Sequence, residues 1–202
     1  MEPDKPDVTD RRRAVALAGY TGDVATAQEG RDDPVGTVRA TALGALERLG
    51  ALTEEDVTTA LLDSDAAVRR RGCEVGARMP GVVLLGALSD ADASVVEMAA
   101  WALGEREDPG AVEMLAGLSA RTGGHADPLC REAAVAALGA IGDPRGLPAV
   151  LAALEDKPAI RRRAAVALAA FDGPEVDAAL QRCLEDRDWQ VRQVAEDLMA
   201  VE

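Results

Sequence analysis

The sequence predicts an all-α fold, a solenoid of about six short helical hairpins, from three observations. A phrase recurs along the chain: Val or Ile, then Arg, then a small residue three positions later and Leu or a substitute four beyond that. It reads Val38-Arg39…Ala42…Leu46, Val68-Arg69…Gly72…Gly76, Val95-Val96…Ala99…Leu103, Cys130-Arg131…Ala134…Leu138, Ile160-Arg161…Ala164…Leu168 and Val191-Arg192…Ala195…Met199. The second member advances by 30, 27, 35, 30 and 31 residues, a period typical of stacked helical repeats. Apolar residues keep three-and-four spacing inside each unit, and short Gly- and Pro-marked joints leave no strand candidate of any length.

The elements follow in order. Residues 1–9 carry two prolines and three acids and read as a disordered tail before a single solenoid over 10–202. First helices are expected at about 11–20, 34–49, 66–78, 93–106, 128–141, 158–171 and 188–200, with shorter partners between them. That makes about thirteen helices, with 10–33 a degenerate N-terminal cap and 188–202 a C-terminal capping helix. In 35–49, Val38, Ala42, Leu43, Leu46 and Leu49 share one face, as do Ile160, Ala164, Ala165, Leu168 and Phe171 later. Second helices are marked by Val57 and Leu61, Leu84 and Leu88, Leu147, Leu151 and Leu154, and Leu180 and Leu184. Asp108-Pro109, Asp143-Pro144 and Gly173-Pro174 place proline where a helix starts. Thr53 with Asp56 resembles a capping box, and Gly50, Gly142 and Gly173 stand where a chain leaves a helix through positive φ.

Composition narrows function. Only Tyr20, Trp101, Phe171 and Trp189 are aromatic, so Ala, Leu and Val must build the core. The formal charge of −14 argues against a general nucleic-acid binder, whose affinity comes from cations on phosphates. Cys73, Cys130 and Cys183 lack metal-ligand spacing and read as reduced, buried thiols of a cytoplasmic protein. No signal-like or membrane-spanning run is present. His125 is the only imidazole, in a Gly-rich stretch without a nucleophile motif, so no catalytic, metal or cofactor residues are assigned. The expectation is a non-enzymatic monomer that needs no cofactor.

The repeated text, with Asp63…Val68-Arg69, Asp186…Val191-Arg192 and the run from Arg131 to Pro144, resembles the HEAT repeat family, in particular bacterial repeats similar to those of phycobilisome lyases. The resemblance covers about 11–200 and implies a right-handed α-solenoid. It also implies that an Asp and an Arg of the phrase form a hydrogen-bonded ladder between successive turns. Carried onto this chain, the ladder pairs are Asp33 with Arg39, Asp63 with Arg69, Glu155 with Arg161 and Asp186 with Arg192; each acid lies six residues before its arginine. Asp90 precedes Val96 in the same way, but the arginine is missing there. His125 stands at the acid position before Arg131, inside an inserted stretch at 121–127 that either decorates a turn or touches a partner.

In HEAT arrays the helix that opens on the Val-Arg pair lines the concave face. Positions one, five and nine beyond the ladder position then outline a protein- or peptide-binding groove: Arg70, Glu74 and Arg78, then Glu97, Trp101 and Glu105, then Glu132, then Arg162. Trp101 is either an interface anchor or a filler among small neighbours, and Trp189 is expected to seal the last helix. The triplets Arg11–Arg13, Arg69–Arg71 and Arg161–Arg163 outline a discontinuous basic edge. The resemblance leaves two functions open: an interaction scaffold or adaptor, or an accessory protein assisting a cofactor-modifying enzyme, like phycobilisome-lyase proteins.

Overall fold

The computed structural model describes residues 7–200 and is all-α, with twelve α-helices and no strand among the described residues. It is an α-solenoid of stacked hairpins whose described residues divide between Ala87 and Leu88 into two compact units.

The first unit holds α1 (Val8–Thr21), α2 (Val24–Glu29), α3 (Gly36–Leu49), α4 (Glu54–Ala60) and α5 (Ala66–Gly76). Helix α1 starts three residues before the expected start at about 11, because the Asp7 carboxylate accepts the Asp10 N–H and caps it. Residues 8 and 9 therefore belong to the helix; the rest of the proposed tail, 1–6, lies outside the described residues. The predicted capping box is present at α4, with Thr53 and Asp56 bonding each other's backbone N–H. Gly50 leaves α3 at φ 65°, a conformation in which a Cβ would be crowded. Val15, Ala18, Ala27, Val38, Ala42, Ala45 and Leu46 form the buried core. The helix expected around Leu84 and Leu88 is reduced to a 3₁₀ turn at Leu85–Ser89.

The second unit holds α6 (Ala93–Glu105), α7 (Val112–Ser119), α8 (Pro128–Ile141), α9 (Leu147–Ala153), α10 (Pro158–Ala167), α11 (Pro174–Cys183) and α12 (Trp189–Met199). The Asp-Pro pairs work one step earlier than expected: Pro109 and Pro144 open 3₁₀ turns that run into α7 and α9. The long helix predicted over 158–171 tightens to 3₁₀ at Leu168–Ala170. Fully buried Leu103, Leu115, Leu138, Ile160 and Leu168 anchor this unit; truncating any one to alanine costs about 2–5 kcal/mol. All three cysteines are buried and unbridged, and burial pushes the Cys130 thiol up to about 11.

Consecutive first helices meet through a recurring small-residue contact. A Cβ added to Gly19, Gly104 or Gly139 would lie 3.0, 2.9 or 2.9 Å from the Cα of Ala45, Ala137 or Ala167 respectively. Glycine's cost inside a helix, about 1 kcal/mol, is thus offset by close packing of α1 on α3, α6 on α8 and α8 on α10.

Candidate functional site: ladder and first-helix faces

Each first helix begins from a short turn in which side chains replace the missing helical acceptors. The Asp63 carboxylate accepts the Asp65 N–H, and Asp65 in turn caps α5 through the Ala67 N–H. Asp90 with Asp92 before α6, and Asp186 with Asp188 before α12, repeat the device. At α8 the first acceptor is the His125 Nδ1, taking the Asp127 N–H at 3.1 Å. The lone imidazole therefore does the turn-forming work of an aspartate.

The ladder runs forward rather than back. Arg39 donates through Nε and Nη2 to the Asp63 carboxylate at 2.8 and 2.6 Å, and through Nη1 to the Asp33 carbonyl at 2.8 Å. The residue six positions before thus contributes its peptide oxygen, while the carboxylate belongs to the next hairpin, 24 residues on. Arg161 reaches the Asp186 carboxylate and Arg131 that of Asp156 in the same two-pronged way, each 25 residues on. Arg69 and Arg192 donate to the Asp63 and Asp186 carbonyls. Such fork-on-fork pairs fix geometry as well as energy.

Two corrections follow. Glu155 is not a ladder acid: Asp156, one residue later, abuts Lys157 directly and bonds its N–H at 2.7 Å, so it takes both the carboxylate and the carbonyl role. The Glu155 carbonyl instead accepts Arg121 Nη1. Arg11, absent from the expected ladder, makes the same two-pronged carboxylate pair with Asp33.

Hydrogen bonds from Arg11, Arg39 and Arg161 hold Asp33, Asp63 and Asp186 below the usual carboxylate range. At Asp156 burial pushes upward, but bonds from Arg131 and the Lys157 N–H outweigh it, and the net direction is down. The break at Val96 gains meaning from this geometry. Its rung would end on residue 125, which is histidine, so donor and acceptor are missing from the same rung, and Val96 is wholly buried instead.

Some of the positions one, five and nine beyond the ladder line grooves on the first-helix faces. In the first unit they form a groove of about 380 Å³ whose walls include Arg12, Ala16 and Tyr20 from α1, Ala40, Gly44 and Arg48 from α3, and Arg70 and Glu74 from α5. Sequence reasoning found Arg70 and Glu74 there, and placed Arg78 in the row although it lies past the end of α5 and outside the groove. It missed the α1 residues, because α1 was set aside as a degenerate cap, and the α3 residues, although Arg39 was already a ladder position. The signal was available: Arg12 and Tyr20 lie one and nine residues beyond Arg11, which begins a rung. Glu74 bonds Arg71 at 2.7 Å, and Arg78 bonds Glu47 at 2.6 Å.

In the second unit the fifth positions are Trp101, Ala136 and Val166, and the ninth are Glu105, Ala140 and Ala170. Trp101 is 40% and Val166 48% exposed, and Ala136, Ala140, Val166 and Ala170 line an apolar groove of about 290 Å³. Glu132 pairs with Arg163 at 3.6 Å. Arg162 is drawn off this row, bonding Gln190 and the Asp188 carboxylate at the start of α12. Trp189 opens α12 as expected but is 64% exposed, so it does not seal the end.

Comparison with known proteins bears on the fold. Residues 116–200 match the family model for HEAT repeats. The chain is similar in structure to YibA of Escherichia coli, with a TM-score of 0.63 and 18% identity over 98% of this chain and 77% of that one. A designed armadillo repeat protein in complex with the peptide (KR)4 is similar at a TM-score of 0.54 and 17% identity, over 98% and 94%. Computationally designed armadillo repeat proteins for modular peptide recognition score 0.52 at 18% identity, with the same coverage. No curated protein matches. At these identities the structural likenesses establish the fold, an α-solenoid of repeats.

Proposed function

Taking 116–200 as a HEAT-repeat segment, we propose that this protein is a non-catalytic interaction scaffold that docks a protein or peptide on its first-helix faces. The row Trp101, Ala136, Val166 carries the reading. An indole left 40% open on a first helix of the unit that also carries an apolar, alanine-lined groove is the profile of an interface anchor, because tryptophan is among the residues that supply most of the energy of such contacts. The ladder arginines are consumed in holding hairpins together, and His125 is consumed in a turn, so the polar residues most suggestive of chemistry already have structural work. The armadillo design that holds (KR)4 supports the idea that stacked helices of this kind present a usable groove.

A cytoplasmic monomer, as composition suggests, is part of the proposal. Among the described residues no helix is long and apolar enough to cross a membrane. The test uses the intact chain and its Trp101→Ala variant as parallel baits, with Trp189→Ala as a control for an exposed indole elsewhere. A protein captured by the parent and by Trp189→Ala, but lost with Trp101→Ala, is the expected result. Equal capture by all three removes the α6–α8–α10 face from consideration.

A further inference from the structure

We infer that the first-helix face of the first unit is an acceptor for an acidic peptide segment, held in extended form across α1, α3 and α5. This rests on the reading of first-helix faces as docking surfaces and adds the chemistry of the occupant. The groove walls carry four arginines, Arg12, Arg48, Arg70 and Arg71, against the single carboxylate of Glu74. The whole chain has 36 acidic and 22 basic residues, so this local excess runs against the composition.

Three of those guanidiniums have no carboxylate partner among the described residues. Arg12 bonds the Thr41 hydroxyl at 3.2 Å. Arg48 lies over the Tyr20 ring, 4.2 Å from its centroid, an arrangement that orients a cation without neutralising it. Arg70 is exposed and makes no ion pair among the described residues. Arg71 is tied to Glu74 and lies across α3 at Gly44, where any Cβ would overlap its Nη2. A glycine at that mid-helix position leaves the guanidinium flat on the groove floor rather than out in solvent.

Guanidinium forks match carboxylates in two-pronged pairs, and the three helices spread those forks over a defined length. Packed helices lie about 8–10 Å apart, so α1 to α5 spans about 16–20 Å. An extended chain covers about 3.3–3.6 Å per residue, which makes the occupant about five or six residues long. The 73%-exposed Tyr20 ring flanks this track as an apolar ledge beside Arg48.

The test uses fluorescein-labelled hexaglutamate and hexalysine and reads anisotropy with the intact chain. A protein of net charge −14 should on bulk electrostatics repel the first and attract the second, so the inference predicts the reverse of the nonspecific result. Hexaglutamate should bind and hexalysine should not. Affinity should weaken several-fold between about 50 and 200 mM salt. The exposed pair Arg48→Glu, Arg70→Glu should weaken it at least tenfold with unchanged helical circular dichroism, while Arg187→Glu in the second unit should not. No hexaglutamate binding, binding indifferent to the double reversal, or hexalysine binding at least as tight would each overturn the inference. Any of these could occur while capture sensitive to Trp101→Ala persists, so the two readings fail separately.

Discussion

Arg131→Ala is the perturbation that weighs the ladder most sharply. The Arg131 side chain is 7% and the Asp156 side chain 2% exposed, and two bonds of 2.9 and 3.1 Å join them. A third arginine nitrogen donates to the His125 carbonyl at 2.8 Å and the Ala126 carbonyl at 3.3 Å. Truncation strands a buried carboxylate that keeps the Lys157 N–H as a donor, and removing one partner of such a pair costs about 3–5 kcal/mol. For a chain of this length about 2–4 °C is lost per kcal/mol, so the melting midpoint should fall by about 6–20 °C. The exposed pair Arg78–Glu47, with Arg78 74% open, should lose only about 0.2–1 kcal/mol on Arg78→Ala. Urea unfolding followed at 222 nm, with Asp156→Ala and the double variant, completes a cycle. The double variant should be markedly less damaged than the sum of the singles, because neither charge is then stranded. A loss below about 1 kcal/mol for Arg131→Ala, or simple additivity, would refute the view that this rung pins successive hairpins.

Other expectations follow from the same geometry. Glu107 leaves α6 at φ 51°, the one non-glycine residue with positive φ among the described residues, so Glu107→Gly should raise stability by about 0.5–1 kcal/mol; a loss in urea midpoint would contradict the strain. Asp63 is held below its ordinary value by Arg39, so its stabilising share is full above about pH 4 and disappears as pH falls through the lower folded value. The stability gap between the parent and Asp63→Asn should be flat from neutrality to about pH 5 and shrink below about pH 4; a gap that widens on acidification contradicts that sign. Rebuilding the absent rung with Val96→Arg and His125→Asp together should show favourable coupling of about 1 kcal/mol or more relative to the single changes, measured by the same unfolding cycle. Zero coupling would mean that positions 96 and 125 are not one rung.

Much of the fold was legible because its determinants are local. A thirty-residue repeat of Val-Arg, small residue and Leu specifies a helix face, and Asp, Pro and Gly mark the caps whatever lies around them. The ladder was legible in its members but not in its pairing. Spacing within one repeat put Asp33 nearest Arg39, whereas the arginine reaches the carboxylate of the next hairpin, Asp63, and only packing reveals that choice. A one-residue slip between Glu155 and Asp156 was invisible for a related reason: both are acids, and only the turn into Pro158 decides which one the fork meets. The first-helix face followed from arithmetic on the ladder position; its omission of Arg12 and Tyr20 came from not seeing Arg11 as a rung, whereas Arg48 lies nine residues beyond Arg39 and could have been found by the same arithmetic. Whether Trp101 stands open was undecidable from sequence, since an Ala-rich neighbourhood suits a buried filler and an exposed anchor equally well.

The central claim, that first helices bind while the ladder merely builds, is met most directly by hydrogen–deuterium exchange of the intact chain with and without the protein captured in a Trp101-dependent way. The account predicts added protection in α6, α8 and α10, with α7, α9 and α11 unchanged. Protection confined to α7, α9 and α11, or to the 121–127 stretch, would contradict it.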